Sequence, residues 1–425
     1  MATFASLTLD LQERILIILS QVGLLPFKLR LVCQTWNSLI VPIKFSGWEV
    51  KRLDENMNAA KLRSKTWPDT WVYSKIRKYT RTIAVPRKID GDIGGFLNGL
   101  KSIRAIHINP DHGRRDSLAW ETIAEPIFNN WLPAYLMRLT SISLRLVKTI
   151  EFLESVQPSD IPRLTWFSTD SYCSEDHART PYRCLRASRM LVAFIASYEK
   201  LERVNIRLTD ASIGTNLDLA QALSCQKSRL RILSVRDISP SIKPLSTKMN
   251  LGSQSLKSLA TSCQYLTQLT VDIPAQLFFI GNRSCALYSD GIDPSIVQWI
   301  CAVASFKMLR RLYVHTHSFQ TWQLQRDGVV KFDNHNRTVE AAARELFTRL
   351  TFAKQGVLFD DMEIRYKVFR GIKAPPHSAP RKSISVINCW LYKYVTTHYS
   401  WKGMRQGVSS VFTKETLGYD AWPEP

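Results

Sequence analysis

A chain of 425 residues with 45% hydrophobic and 22% charged side chains lies near the globular average, which excludes wholesale disorder and leaves room for two or three domains or one long repeat body. Its 57 Lys plus Arg against 36 Asp plus Glu give a formal charge of +21, a field that attracts acidic protein, nucleic acid or anionic lipid without choosing among them. The eight cysteines form no CxxC pair and no regular framework, so they read as free, mostly buried thiols in a reducing intracellular compartment, cytoplasm or nucleus.

The first predicted element is an amphipathic helix in "LTLDLQERILIILSQVG". Thr8 or Asp10 stands at its N-cap, Leu11, Ile15, Ile18 and Leu19 form one face, and Gly23 is its stop. Its "ILIIL" core is too short for a membrane span or a secretory signal. The helical pattern resumes in "LLPFKLRLVCQTWNSLI", with Leu29, Val32, Cys33, Trp36, Leu39 and Ile40 at spacings of three and four, and Pro42 ends the run. Some forty residues in three short helices bury little apolar surface internally, so part of this face should dock on another chain or on the next domain.

These residues, from about 4 to 45, resemble the F-box, the helical motif that plugs into the Skp adaptor of cullin-RING ubiquitin ligases. The resemblance rests on the leucine at Leu7, the acidic Asp10, the helix core at Ile15, Leu16 and Leu19, and the Val-Cys-x-x-Trp pattern at Val32, Cys33 and Trp36. The chain differs from the family pattern at Thr8, where a proline normally follows the first leucine, and at Asp10, where glutamate is commoner. The resemblance implies adaptor contact through Leu7, Leu9, Asp10, Leu11, Ile15, Leu16, Leu19, Leu24, Leu31, Val32, Cys33, Trp36 and Leu39. The plainer alternative is that Cys33 and Trp36 fill a local core.

From about residue 80 a phrase of three hydrophobic positions, the second three residues after the first and the third two residues later, recurs along the chain. It appears at Ile103, Ile106, Ile108; Leu139, Ile142, Leu144; Leu201, Val204, Ile206; Leu230, Leu233, Val235; Leu266, Leu269, Val271; Leu309, Leu312, Val314; and Phe359, Met362, Ile364, with weaker copies at 80 and 164. The last two positions of each phrase predict inward-facing residues of a short strand. Helices are predicted between phrases, beginning at Thr180 and Pro181, at Asp293 and Pro294, and in "NRTVEAAARELFTRL". Repetition of one phrase favours a solenoid over a doubly wound sheet. Together the phrases resemble leucine-rich repeats in the irregular form of fungal F-box proteins, at longer and less even spacing.

Residues alternating with the inward hydrophobics should face outward as a client surface. The candidates are His107, Arg145, Trp166, Arg203, Arg207, Arg236, Arg311, Tyr313 and His315, with Asn109, Asp170, Asn205, Asp272, Asp361, Glu363 and Arg365 beside them. Arginine forks suit carboxylate or phosphate oxygens, so an acidic or phosphorylated segment is the expected client, against the alternative of a solvated charged face. "GDIGGFLNG" at 91–99 lacks phosphate-loop spacing, His315 and His317 lack an identifiable third ligand, and no catalytic triad spacing appears. No enzyme chemistry, cofactor or metal is therefore expected.

The expected class is α/β: a three-helix F-box at 1–45, a linker or first packing segment at 46–79, an irregular leucine-rich-repeat solenoid at 80–370 with a parallel sheet on one face and helices on the other, and a proline-containing linker with a C-terminal cap at 371–425. The resemblance implies a substrate-recognition subunit of an SCF-type ubiquitin ligase, partnered by the Skp adaptor, the cullin scaffold and a client protein. The alternatives are a basic nucleic-acid-associated scaffold and an F-box scaffold acting without ubiquitin transfer. No membrane partner is expected.

Overall fold

The computed structural model describes residues 7–21, 24–31, 34–49, 71–86, 100, 102–109, 136–144, 153, 156–170, 181–208, 216–224, 229–237, 251–273, 294–320, 328–371, 384–399 and 407–417. The protein is mixed α/β with mostly parallel strand pairing. It divides into two compact units, Met1–Thr169 and Asp170–Pro425, a boundary inside the span read from sequence as one solenoid.

The first unit opens with α1, Leu9–Gln21, a 3-10 turn at Phe27–Leu31, and α2, Gln34–Ser46. Thr8 holds the cap position: its carbonyl accepts the Gln12 N–H at 3.0 Å, while the Gln12 side-chain amide donates back to the Leu7 carbonyl at 2.9 Å. Asp10 sits instead in the first turn and pairs with Arg14 at 3.2 Å on an exposed face, a contact worth little in water. Leu16, Leu25 and Ile40 form the small core, with Leu19, Leu29, Trp36, Leu39 and Ile43 packed around it. Pro42 does not end α2; the helix runs through it to Ser46. A proline there removes one backbone hydrogen bond, but burial of Ile40 and Val41 immediately before it outweighs that local cost.

Strands follow directly. These are β1, Gly47–Glu49; β2, Thr82–Pro86; β3, Ala105–Asn109; β4, Ser141–Leu144; and β5, Trp166–Asp170. Between β1 and β2 stands α3, Trp71–Tyr79, which packs on α2. Each strand pairs with the next in parallel. The middle phrase position is the register partner of its own copy in the next strand, Ile83 to Ile106 to Ile142 to Phe167, and all four are at most 1% exposed. The weak copy at 80 has Thr80 in the first hydrophobic position. It is fully buried, and its hydroxyl donates to the Phe45 carbonyl at 3.1 Å, which removes the desolvation cost of a polar atom there.

The second unit repeats the device with β6, Arg203–Leu208; β7, Ile232–Asp237; β8, Gln268–Asp272; β9, Arg311–Gln320; and β10, Asp361–Gly371. Val204, Leu233, Leu269, Leu312 and Met362 are successive parallel partners, again at most 1% exposed. The carbonyl just after the first phrase position accepts two N–H groups from the next strand. Arg231, for example, accepts from Thr267 at 2.8 Å and Gln268 at 3.0 Å, and Thr267 accepts from Arg310 at 2.9 Å and Arg311 at 3.0 Å. The same fork is formed at Arg81, Arg104, Thr140, Glu202 and Arg310 and fixes the rung spacing at the start of the strands that follow them.

Helices α4, Pro181–Ala196; α5, Asn216–Ser224; α6, Ser253–Ser262; α7, Pro294–Ala304; and α8, Gly328–Ala353, pack successively on one another. Pro181 and Pro294 open their helices as the sequence predicts. The segment after the proline-rich stretch, read from sequence as a C-terminal cap, contains β11, Ile384–Tyr399, which pairs antiparallel with β10 and with β12, Gly407–Leu417. The "GIKAPPHSAPRKS" linker beyond Gly371 and all of "GDIGGFLNG" lie outside the described residues.

The turn from α8 into β10 is held by Gln355 N–H to the Ala304 carbonyl at 3.1 Å and Val357 N–H to the Lys307 carbonyl at 2.9 Å. The Lys354 ammonium donates to the Phe306 and Gln355 carbonyls, and burial lowers its pKa to about 8. Gly356 has φ of 83°, and a Cβ there would lie 2.6 Å from the Lys307 carbonyl oxygen. Gly356→Ala therefore meets both a left-handed backbone and a backbone clash, and should cost about 2–3 kcal/mol. A denaturant midpoint equal to that of the parent chain would refute this.

Candidate functional site

The residues read as adaptor contacts separate into two groups. Leu16 is core, and Ile15, Leu19, Trp36 and Leu39 are partly buried. Leu24 and Leu31 are 68% and 72% exposed, Leu9 is 56% and Leu11 is 45%; Ile17 and Ile18, on the same helix, are also exposed. Asp10 is exposed and Leu7 half-buried. Val32 and Cys33 lie outside the described residues. Six exposed large aliphatic side chains on so small a helical unit exceed what a solvated surface of this size ordinarily carries. Trp36 belongs to the unit's own packing, which is the plainer of the two roles that the sequence left open for it.

The strand face opposite the helices does not form the open platform expected from its polarity. Exposure falls along the strands from their N-terminal ends. At the first outward position Arg203 and Arg311 are exposed and Trp166 is half-buried. Two residues further, Ser143, Ser168, Ser234, Thr270 and Glu363 are buried, while His107, Asn205 and Tyr313 are half-buried. Another two residues on, Arg236, Asp272, His315 and Arg365 are all buried, at 4–8% exposure. Arg236 and His315 are therefore covered side chains rather than client contacts in this conformation. Arg145 lies outside the described residues, and Arg207 is placed only as the register partner of Arg236. Alternation fixes which face a side chain takes; it does not fix what covers that face.

The buried polar rows are organised by strand register. Asp272 is paired with His315 and His315 with Arg365. Thr270 is paired with Tyr313, Tyr313 with Glu363, and Glu363 with Lys393 of β11. Arg365 donates to Glu363 through Nε at 3.2 Å and through Nη2 at 2.9 Å, and Lys393 approaches the other Glu363 oxygen at 3.8 Å. The Tyr313 hydroxyl donates to Asp361 at 3.2 Å. Burial, then the negative Asp361 and Glu363, push the Tyr313 phenol up to about 12; burial and Glu363 likewise raise the Asp361 carboxyl. Thr270 and Ser234 hydroxyls have no hydrogen-bond partner among the described residues.

In the first unit, the His107 and Trp166 rings meet edge to face at 5.5 Å, across the small Ser141 and Ser143 of the intervening β4. Of the nine client candidates, Arg203, Arg311, His107, Trp166 and Tyr313 keep some exposure. Sequence reading missed Lys393, placed by the antiparallel β11, and the exposed arginines that flank the first hydrophobic of each phrase in the first unit. The repeat spacing itself marks the latter. Among the described residues, no helix is long and apolar enough to cross a membrane. No family model matches the chain, and no curated protein matches it.

Proposed function

We propose that the chain is the substrate-recognition subunit of an SCF-type ubiquitin ligase, an F-box protein with irregular leucine-rich repeats. In this reading the N-terminal helices plug into the Skp adaptor and the strand-helix repeats hold a client protein. The observation that carries it is the exposed Leu9, Leu11, Ile18, Leu24 and Leu31 around a small core of Leu16, Leu25 and Ile40 among the described residues. A surface of that kind gains stability when a second chain covers it. The stacked phrases support the second half, because equal positions are register partners from strand to strand. Such a chain carries out no covalent chemistry itself.

Co-expression with the Skp adaptor tests the first half. The full chain should co-purify with the adaptor, and Leu24→Asp/Leu31→Asp should lose it with the melting temperature unchanged. Trp36→Ala should instead lower the melting temperature. A parent chain that is soluble alone and ignores the adaptor removes the proposal. Co-purification of the cullin and ubiquitylation of a bound client separate the ligase subunit from an F-box scaffold acting without ubiquitin transfer.

A further inference from the structure

The parallel pairing of β9 with β10 and the antiparallel pairing of β10 with β11 meet at the entrance of β10. Asp361 stands there as the register partner of Arg311 on one side and of Val395 on the other. Its N–H and that of Asp360 donate to the Arg310 carbonyl. Glu363 follows two residues later on the same strand face.

The donors around these two carboxylates are shared unequally. Arg365 donates to Glu363 through Nε and Nη2, and Lys393 approaches the same carboxylate at 3.8 Å. Asp361 receives one neutral donor, the Tyr313 hydroxyl, on Oδ2 at 3.2 Å. Its Oδ1 is itself buried and accepts no hydrogen bond among the described residues. Arg311 is exposed at the strand entrance and, among the described residues, forms no ion pair with Asp361. Arg310 is paired with Asp360 at 3.5 Å. Gln268, the partner of Arg311 on β8, and Val395 on β11 bring no charge to this corner.

A carboxylate so placed is charged against its surroundings. One oxygen has left water without gaining a donor, and a second carboxylate of the same sign lies two residues away. A proton on Oδ1 removes both costs while Oδ2 keeps its bond from Tyr313. We propose that Asp361 is a proton-operated latch between the parallel stack and the antiparallel C-terminal strands: a proton from solvent on Oδ1 tightens the β9–β10–β11 junction, and its loss loosens it.

Burial, and after it Glu363, raise the Asp361 carboxyl, against the Tyr313 hydrogen bond, Lys393 and Arg311, which lower it. The folded chain therefore holds this proton more tightly than the unfolded chain does. Stability is lost as pH rises from the unfolded pKa through the folded one, and it is regained as pH falls again.

Melting of the full-length chain across a pH series, parent against Asp361→Asn, tests the latch. Asparagine keeps an oxygen for the Tyr313 hydroxyl and removes the charge. At about pH 7.5 the variant should therefore melt about 2 °C or more above the parent, and the gap should close as pH falls into the ordinary carboxylate range. In a Tyr313→Phe background the same gap should close at a pH about 0.5–1 higher, because the hydrogen bond that favours the carboxylate is gone. A merely structural role for either side chain would not move that pH. An Asp361→Asn chain that melts at or below the parent near neutral pH, a gap independent of pH, or closure at the same pH in both backgrounds overturns the proposal.

Discussion

Alanine at position 299 is expected to lower the stability of the second unit by about 3–5 kcal/mol. Trp299 lies on α7 and is 1% exposed, first among the large fully buried side chains. Its helix packs between α6 on one side and α8 on the other, and its buried neighbours in the chain, Ala302, Val303 and Ala304, are too small to fill the space an indole vacates. A cavity flanked by two helices cannot collapse without moving both, so the loss includes the cavity as well as the transfer of the ring. Trp299→Phe, which keeps an aromatic ring in place, should cost about 1.5 kcal/mol or less. Guanidinium denaturation with an unchanged slope measures both; an alanine variant within 1 kcal/mol of the parent would show that α7 is not held as described.

The parallel strands were legible because each phrase combines a two-residue alternation with a hydrophobic residue three positions earlier. No helical face produces that pattern repeatedly, and the copies stack in register. Helices α4 and α7 were legible through prolines at their first positions. Helices α5 and α6 were not singled out: "NLDLAQALS" and "SQSLKSLATS" are short and rich in serine or polar residues, and their hold on the fold comes from neighbouring helices rather than propensity. Strand β12 was missed for a related reason. "GVSSVFTKETL" has few bulky apolar residues, and its antiparallel register with β11, which no local pattern announces, makes it a strand.

The polar strand face was legible in direction but not in exposure. Polar side chains at alternating positions were rightly assigned to the face opposite the phrase hydrophobics, since Glu363 and Lys393, for instance, are register partners there. Equating polarity with contact to water failed at Arg236, Asp272, His315 and Arg365. Arg365 shows how such a side chain is held away from water. Its forked donors reach Glu363 two residues earlier on the same strand, so its charge is met inside the protein.

Removing one partner of that pair tests how much it matters. Arg365→Met should destabilise the second unit by about 3 kcal/mol, because it leaves the Glu363 carboxylate buried with its guanidinium donor gone. The side chains of Arg365 and Glu363 are only 9% and 10% exposed, so water cannot replace the lost bonds without opening the sheet face. Lys393 at 3.8 Å supplies partial compensation, which places the expected loss at the lower end of the range for broken buried pairs. Glu363→Leu should be costly for the mirrored reason, stranding the Arg365 cation beneath the same cover. The double variant Glu363→Leu/Arg365→Met should recover most of the stability, since neither charge is then left unmatched. The double-mutant cycle reads this as a coupling of about 1–3 kcal/mol between the two positions. Additive losses in the cycle, or an Arg365→Met chain within 1 kcal/mol of the parent, would mean that the face is open enough for solvent to hold each charge by itself. Arg236 and His315 would then be within reach of solvent, as their alternation in the sequence suggests.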